Sequence, residues 1–331
     1  MPPLLISFLK SFIMLNGLLI VPIILVYAER KIIARIQVRI GPNRVGPFGL
    51  LQTVADGIKL FLKEDINTVT PSRFVYLIAP PLAVIPLFLA SAAIPYGDIW
   101  HIAGVSIKPW VADLDVGVIF IFAITSIEVY GVTLAGWAGA SKYSLLGGLR
   151  TSAQMLSYEL SLGMSVIGVI ILSGSLRLLD IVSAQQHLWF IILQPIGFIV
   201  YCIAALAETS RLPFDLPEAE TELVGGYHTE YSSMKFALFF LGEYVNMFIV
   251  SCLASIFFLG GSQPLMGLTQ IPGTIWLLLK ASLFLFSFIW IRGTLPRFRY
   301  DQLIRFGWLV LFPLALFNVM WTAVMVNLPW F

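Results

Sequence analysis

Five ionisable residues lie within or at the end of stretches that are otherwise apolar: Glu128, Glu159, Glu208, Glu243 and Lys280. If these stretches cross a membrane, each charge near the bilayer centre costs at least about 2.5–3.5 kcal/mol, which makes each residue a functional candidate. Carboxylates removed from water in this way can exchange protons near neutral pH. The set indicates a proton path, whereas any single member could simply bind a polar group on a neighbouring helix.

A second acidic group occupies residues 208–226, ETSRLPFDLPEAETELVGG, with Arg211 as its only base. The carboxylates are Glu208, Asp215, Glu218, Glu220 and Glu222. Acids beside Pro217 are typical of a helix start, where the helix dipole favours negative charge. That explanation suits Asp215 and Glu218. It does not explain Glu208, which lies where an apolar stretch meets the loop, so we expect an acidic coupling loop over about 208–234.

The composition identifies the class of protein that positions these residues. The 331-residue chain is 59% hydrophobic and 11% charged, with a mean hydropathy of +0.91. Soluble proteins contain about 25% charged residues. Stretches of about 20 apolar residues are long enough to cross the hydrocarbon core, and the short alternating segments of a β-barrel are absent. The sequence predicts an all-α polytopic membrane protein, with residues 1–331 forming a single integral membrane domain.

About eight transmembrane helices are predicted, near residues 11–27, 74–96, 114–138, 151–173, 188–207, 235–259, 275–291 and 303–327. Sixteen of the 20 Lys and Arg residues fall in the odd-numbered loops. The positive-inside rule then places those loops in the cytoplasm or its organellar equivalent, and the N-terminus outside. At 1.5 Å per residue, Glu128, Glu159, Glu243 and Lys280 are expected at one common depth, as a row parallel to the membrane.

The first of these loops contains an amphipathic pattern. Gln52, Asp56, Lys59 and Lys63 recur at spacings of 4, 3 and 4, and apolar residues cover the remaining faces. This pattern predicts an amphipathic surface helix over about 48–63. The helix either anchors the loop or frames an entrance for a molecule dissolved in the bilayer.

Motifs for bound redox groups are missing from the sequence. There is no C-x-x-C, no G-x-G-x-x-G and no histidine pair at helical spacing. Cys202 and Cys252 lie inside apolar stretches and are interpreted as small core residues. We therefore expect no redox centre and no metal in this chain alone.

Three loop segments resemble those of one family. They are AERKIIARIQVRIGPNRVGPFGLLQTVADGIKLFLKED (28–65), ETSRLPFDLPEAETELVGGYHTEYSSMKFALFFLGEY (208–244) and RGTLPRFRYDQL (292–303). They look like the inner loops of the H subunits, the quinone-site membrane subunits of respiratory complex I, the proton-pumping NADH:quinone oxidoreductase. The likeness extends over essentially the whole chain.

The resemblance implies a membrane component whose substrate is a quinone and whose partners hold NADH, FMN and the iron–sulfur clusters. Those partners would be hydrophilic-arm subunits near the terminal iron–sulfur cluster, small membrane subunits and antiporter-like pumping subunits. The expected location is an energy-transducing membrane, bacterial or organellar.

The resemblance also assigns residues to three sites. The quinone chamber would contain Glu29, Arg30, Asp56 and Lys59. The coupling loop would contain Glu208, Arg211, Asp215, Glu218, Glu220, Glu222 and Glu230, balanced by Arg292, Arg297 and Arg299. The proton path would contain Glu128, Glu159, Glu208 and Glu243.

Other functions remain open from the sequence. An equivalent subunit occurs in membrane-bound hydrogenases and in ferredoxin-linked dehydrogenases. A stand-alone ion-coupled transporter would use buried carboxylates too, but the paired broken helices of such transporters are not evident. A purely structural anchor would leave the row of buried charges unexplained.

Overall fold

The computed structural model describes residues 3–66, 72–102, 105–215, 223–264 and 271–327, and these are mostly helical. In chain order the helices are α1 (Pro3–Ile36), α2 (Gln52–Leu62), α3 (Arg73–Ala92), α4 (Gly117–Ala138), α5 (Lys142–Ser173), α6 (Leu178–Ala184), α7 (Phe190–Leu193), α8 (Pro195–Glu208), α9 (Ser233–Phe258), α10 (Gly273–Thr294), α11 (Tyr300–Phe306) and α12 (Phe312–Val326). A π-helical segment, Gly307–Leu311, joins α11 to α12.

Seven helical segments of the described chain are long and apolar enough to cross a membrane. They are Ser7–Ile36, Arg73–Ala92, Gly117–Ala138, Lys142–Ser173, Ser233–Phe258, Gly273–Thr294 and Tyr300–Val326. The prediction of an all-α polytopic membrane protein is confirmed. The count of eight spans and the outside position of the N-terminus stay predictions.

The stretch predicted as the fifth span, 188–207, is divided into α7 and α8. Gln194 separates them with φ −131° and ψ 55°, outside the helical region. Pro195 then begins α8, where its missing N–H removes no helical hydrogen bond. Because a proline disfavours helical backbone in the residue before it, α8 is a shorter apolar helix.

A small antiparallel ladder lies between α3 and α4 and was not predicted. Its strands are β1 (Trp100–Ile102) and β2 (Val105–Ile107). The register aligns Trp100 with Ile107 and Ile102 with Val105.

The predicted amphipathic helix is present as α2, preceded by a 3₁₀ turn at Pro47–Gly49. Its apolar side is exposed: Ile58, Phe61 and Leu62 are 56%, 71% and 78% accessible. A helix with an exposed apolar face of this kind suits the interface between headgroups and acyl chains.

The centre of the helix bundle is α9. In the most apolar stretch of α9, 67% of the residues are buried, compared with 17% in the corresponding stretch of α1. Small residues bring the helices around it close together, since a Cβ on Gly131 of α4 would lie 2.6 Å from the backbone nitrogen of Ala83 in α3. Close backbone approach at small residues is a usual mode of packing between membrane helices.

Lys280 marks the end of the bundle opposite the site described below. Its Nζ donates to the backbone oxygens of Leu259, Gly261 and Gln263 at 2.7, 2.9 and 2.8 Å, so all three donors are satisfied just beyond the C-terminus of α9. Glu243 lies 16 residues before Leu259, roughly 24 Å along the helix. The prediction that Lys280 shares a level with the glutamates is therefore wrong, because Lys280 is only two turns from the start of α10.

Candidate functional site

The site is built around Glu29, a buried carboxylate near the C-terminal end of α1. Three residues from distant parts of the chain contact it. Tyr244 of α9 donates its hydroxyl proton to Oε2 at 2.8 Å, and Arg211 Nη1 lies 3.3 Å from the same oxygen. Arg292 of α10 forms a salt bridge with Oε1. The end of the bundle where these residues meet is called the basic end below.

Arg211 lies in the chain that follows α8 and is itself buried. Its guanidinium carbon is 4.1 Å from the centroid of the Tyr244 ring, within the range of a cation–π contact. Burial would lower the pKa of Arg211, but neighbouring Tyr244 and Glu29 raise it above the ordinary value. The residue is therefore a fixed positive charge. Its Nε and Nη2 are buried without a hydrogen-bond partner among the described residues.

A second ion pair connects α1 to the amphipathic helix. Arg30 Nη1 lies 2.5 Å from Asp56 Oδ2, and Gln52 donates to Asp56 Oδ1 at 3.2 Å. The polar stripe of α2 thus faces α1, which leaves the apolar side of α2 exposed. Lys59, predicted beside these residues, is exposed on α2.

Glu29 and Arg30 also line an open cavity of about 520 Å³ between α1 and the turn that follows it. Ile33, Ile40 and Pro42 provide its apolar wall. Tyr27, on the other side of α1, donates to the carbonyl of Phe48 at 3.0 Å and thereby holds the turn against the helix. The cavity is lined by the polar side chains of Glu29, Arg30 and Arg39 as well as by its apolar wall, which suits an amphiphile with a polar head.

The acidic segment is the name used here for residues 208–226. Its first part is held in place by α5 and by the chain after α10. Gln154 of α5 donates to the backbone oxygens of Ala207 and Phe214, at 2.7 and 2.8 Å. Arg297 Nη2 lies 3.0 Å from Asp215 Oδ2. Asp215 is thus balanced by Arg297, as expected, whereas Arg292 contacts Glu29.

Glutamates on three helices, one buried and two half-buried, each have a polar partner on another element. Asn246 of α9 donates to Glu128 of α4 at 3.0 Å. Ser126, two residues before Glu128, donates to Glu159 of α5. Glu243 precedes Asn246 by three residues on α9 and accepts a hydrogen bond from Tyr227 at 3.0 Å. Each of the three glutamates thus has a defined hydrogen-bond partner, and their common depth stays a prediction.

Glu208 ends α8 and is also buried. Its Oε2 has no hydrogen-bond partner among the described residues. The charges of Glu208, Glu243 and Glu159 all act on Glu128, and Glu159 acts on Glu208. The four carboxylates thus form one electrostatically coupled set.

Of the four remaining residues predicted in the coupling loop, the structure describes one. Glu218, Glu220 and Glu222 lie outside the described residues. Glu230 contacts α3 through its backbone oxygen, which accepts a hydrogen bond from Tyr76 at 2.9 Å.

Comparison with known proteins identifies the family. The sequence model of a family described as NADH dehydrogenase matches residues 9–323. The chain belongs to this family. The match includes the residues at Glu29, the acidic segment and the four coupled glutamates.

Relatives from the same family match most of the length of this chain. The H subunit of NADH-quinone oxidoreductase from Thermomicrobium roseum is 51% identical over 326 residues, covering 96% of this chain and 94% of the relative. The H subunit numbered 2 from Geobacter sulfurreducens is 53% identical over 300 residues, covering 90% of each. The H subunit from Brevibacillus brevis is 53% identical, covering 91% and 88%. The resemblance to these subunits, drawn from the loop motifs, is confirmed.

Several polar residues of this family member's site were not singled out from the sequence. Tyr244, Asn246, Tyr227 and Gln154 each bind a site carboxylate or the acidic segment. A signal was present for two of them, because Tyr244 and Asn246 are polar residues close to Glu243 within an apolar helix. Within the described ranges, no cluster of three or more His, Cys, Asp or Glu is arranged to hold a metal ion.

Proposed function

We propose that this chain is the membrane subunit of a proton-pumping NADH:quinone oxidoreductase that forms the quinone access chamber and links quinone reduction to proton translocation. One observation carries the proposal: Glu29 belongs to the wall of the cavity at the end of α1 and also binds Arg211 of the acidic segment. A change of charge in the cavity would thus act directly on the segment that begins at Glu208.

The chamber would be framed by Glu29, Arg30, Asp56 and Lys59. The Arg30–Asp56 pair fixes α2 across the end of α1, and the exposed apolar face of α2 would lie in the bilayer surface. A long-tailed quinone would reach the cavity from the membrane between these two helices. Its headgroup would be reduced beyond the membrane, at a site contributed mainly by partner subunits.

The coupling step would act through electrostatics. Glu29 is held by two guanidinium groups and a tyrosine hydroxyl, so its charge balance is set by groups on three other segments. Added negative charge in the chamber would compete for Arg211. The attraction between Arg211 and the carboxylates of its own segment would then weaken. Protonation within the set Glu208, Glu159, Glu128 and Glu243 would relieve the resulting repulsion, because Glu128 and Glu208 are buried, Glu159 and Glu243 are half-buried, and the four act on one another electrostatically.

The remaining assignments follow from the relatives and from the resemblance. Quinone is the substrate, and NADH, FMN and iron–sulfur clusters belong to partner subunits. The partners would be the hydrophilic arm near the terminal iron–sulfur cluster, small membrane subunits and antiporter-like pumping subunits. Since the three relatives described above are bacterial proteins, the membrane would be the bacterial plasma or inner membrane.

Purification in a mild detergent tests this function. We expect the chain in a multi-subunit assembly that oxidises NADH and reduces quinone. An assembly that accepts electrons from ferredoxin or hydrogen, but not NADH, would identify the related dehydrogenase or hydrogenase component. A single chain that transports ions without partners would contradict the proposal.

A further inference from the structure

An apolar crevice of about 440 Å³ opens at the basic end of the bundle, apart from the Glu29 cavity. Leu206 of α8 and Phe214 form one wall, and Leu295, Phe298 and Phe306 form the other. Its volume is in the range of roughly 300–1,000 Å³ that is usual for ligand pockets. An unbranched hydrocarbon chain is the simplest occupant for such a lining.

The crevice shares none of its lining residues with the Glu29 cavity. Gly293 faces α1, since a Cβ there would lie 2.9 Å from Ile36 Cδ1. Ile291 and Leu295, which line the crevice, are each two residues from Gly293, about 200° around the helix. A ligand in the crevice would therefore contact a different set of residues from a ligand in the proposed quinone chamber.

Positive charge borders the crevice. Arg299 directly precedes α11, Gln302 and Arg305 follow at intervals of three within it, and Gln302 lines the crevice. Arg299 and Arg305 are exposed, and neither forms an ion pair with another described residue. Arg150 of α5 adds a third guanidinium over the ring of Tyr300, 5.7 Å from its centroid. These positive charges would favour the binding of an anionic occupant over a neutral one.

We propose that the crevice binds an anionic phospholipid, with one acyl chain between α8 and α10 and its phosphate on Arg299 and Arg305. Basic pockets between membrane helices at the cytoplasmic surface are suited to anionic headgroups, and guanidinium groups bind phosphate through paired hydrogen bonds. A quinone would fill the apolar part equally well but would leave both arginines without an anion.

The bound lipid would also support the acidic segment. Phe214 stacks on Phe298 with their ring centroids 5.7 Å apart, and Phe298 N donates to the backbone oxygen of Pro213 at 3.1 Å. Asp215 follows directly and binds Arg297. An acyl chain against Phe214 and Phe298 would therefore brace the segment that carries Arg211 and Asp215.

Photolabelling of the assembled complex tests this site. The complex would be placed in phosphatidylcholine nanodiscs with a trace of phosphatidylglycerol bearing a diazirine near the end of one acyl chain. The matched probe is phosphatidylcholine with the same chain. We expect phosphatidylglycerol to label residues 291–306 about tenfold more strongly, because basic residues near a membrane surface favour anionic lipid. Leu295→Trp should fill the crevice and remove this labelling, whereas Leu283→Trp, on the exposed side of α10, should not.

Combined substitution of Arg299→Gln and Arg305→Gln should abolish the preference for phosphatidylglycerol while leaving acyl-chain labelling in place. Equal labelling by the two lipids in the unmodified complex would overturn the proposal. So would labelling that persists in Leu295→Trp, or that is displaced by long-tailed quinone rather than by unlabelled phosphatidylglycerol. The readout requires no turnover, so its failure is distinct from failure of the proposed quinone function.

Discussion

Glu29 and Arg211 are 182 residues apart in the chain and form a buried salt bridge, with 3.3 Å between Oε2 and Nη1. Arg292 and Tyr244 bind the same carboxylate. Glu29 lies in the first of the three loop segments on which the resemblance to the complex I family rests, Arg211 and Tyr244 in the second, and Arg292 in the third. The three segments thus converge on one carboxylate.

Glu29→Gln should strongly destabilise the basic end of the bundle. Removing one partner of a buried ion pair costs about 3–5 kcal/mol, because the remaining charges stay buried without compensation. Here Arg211 would lose the carboxylate that neutralises it. We expect less assembled complex on native gels and a lower melting temperature. Glu64→Gln, at an exposed position, is the matched control. Equal melting temperatures for the two variants would show that Glu29 does not stabilise this end.

Two substitutions at Tyr244 separate its hydroxyl from its ring. Tyr244→Phe removes the hydrogen bond to Glu29, which costs about 1.5–3 kcal/mol when the acceptor is charged. Tyr244→Leu removes in addition the ring beside Arg211, worth about 0.5–2 kcal/mol. We expect the complex with Tyr244→Phe to have a lower melting temperature than the unmodified complex. The complex with Tyr244→Leu should have a lower melting temperature still. Equal melting temperatures for the two variants would show that the cation–π contact contributes nothing to stability.

Asn246→Ala should slow proton translocation. The loss of its hydrogen bond to Glu128, worth about 0.5–1.5 kcal/mol, corresponds to a decrease of about two- to tenfold if that bond orients the carboxylate for transfer. Dye-monitored proton uptake into liposomes measures the effect. Asn16→Ala in α1 is the control, since that amide binds only its own helix. Unchanged proton uptake in fully assembled Asn246→Ala complex would remove this contact from the path.

Ala55→Trp tests the access role of α2. Ala55 is exposed on this helix, and a large side chain there should obstruct a long isoprenoid tail more than a short one. We expect the KM for long-tailed quinone to increase several-fold more than the KM for a short-chain analogue. Leu316→Trp, exposed on α12, should change neither value. An equal increase for both quinones in Ala55→Trp would argue against an access role.

Much of the fold was predictable because its signals are local. Apolar length identified the membrane class, and the spacing of Gln52, Asp56 and Lys59 identified α2. The break in the predicted fifth span had a local signal too, the Gln194–Pro195 pair, whose effect on the helix was outweighed in the prediction by the apolar length of 188–207.

The contacts of the site were not predictable in the same way. Nothing in the first loop indicates that Glu29 binds Arg292, 263 residues later. Such contacts depend on how helices pack, and the same carboxylate would accept any nearby base. The depth of Lys280 was predicted wrongly because it was estimated from the predicted span ends. Its position depends instead on the backbone carbonyls beyond α9, which bind its ammonium group.

Proton translocation by Glu208→Gln complex tests the central claim most directly. The substitution preserves size but removes a carboxyl that can take up and release a proton at the junction of α8 and the acidic segment. With assembly equal to that of Asp301→Asn, an exposed control on α11, we expect quinone turnover and proton uptake to decrease by about tenfold or more, since a positioned proton-transfer group contributes about 10²–10⁴-fold. Full turnover and full proton uptake in the assembled Glu208→Gln complex would contradict the account.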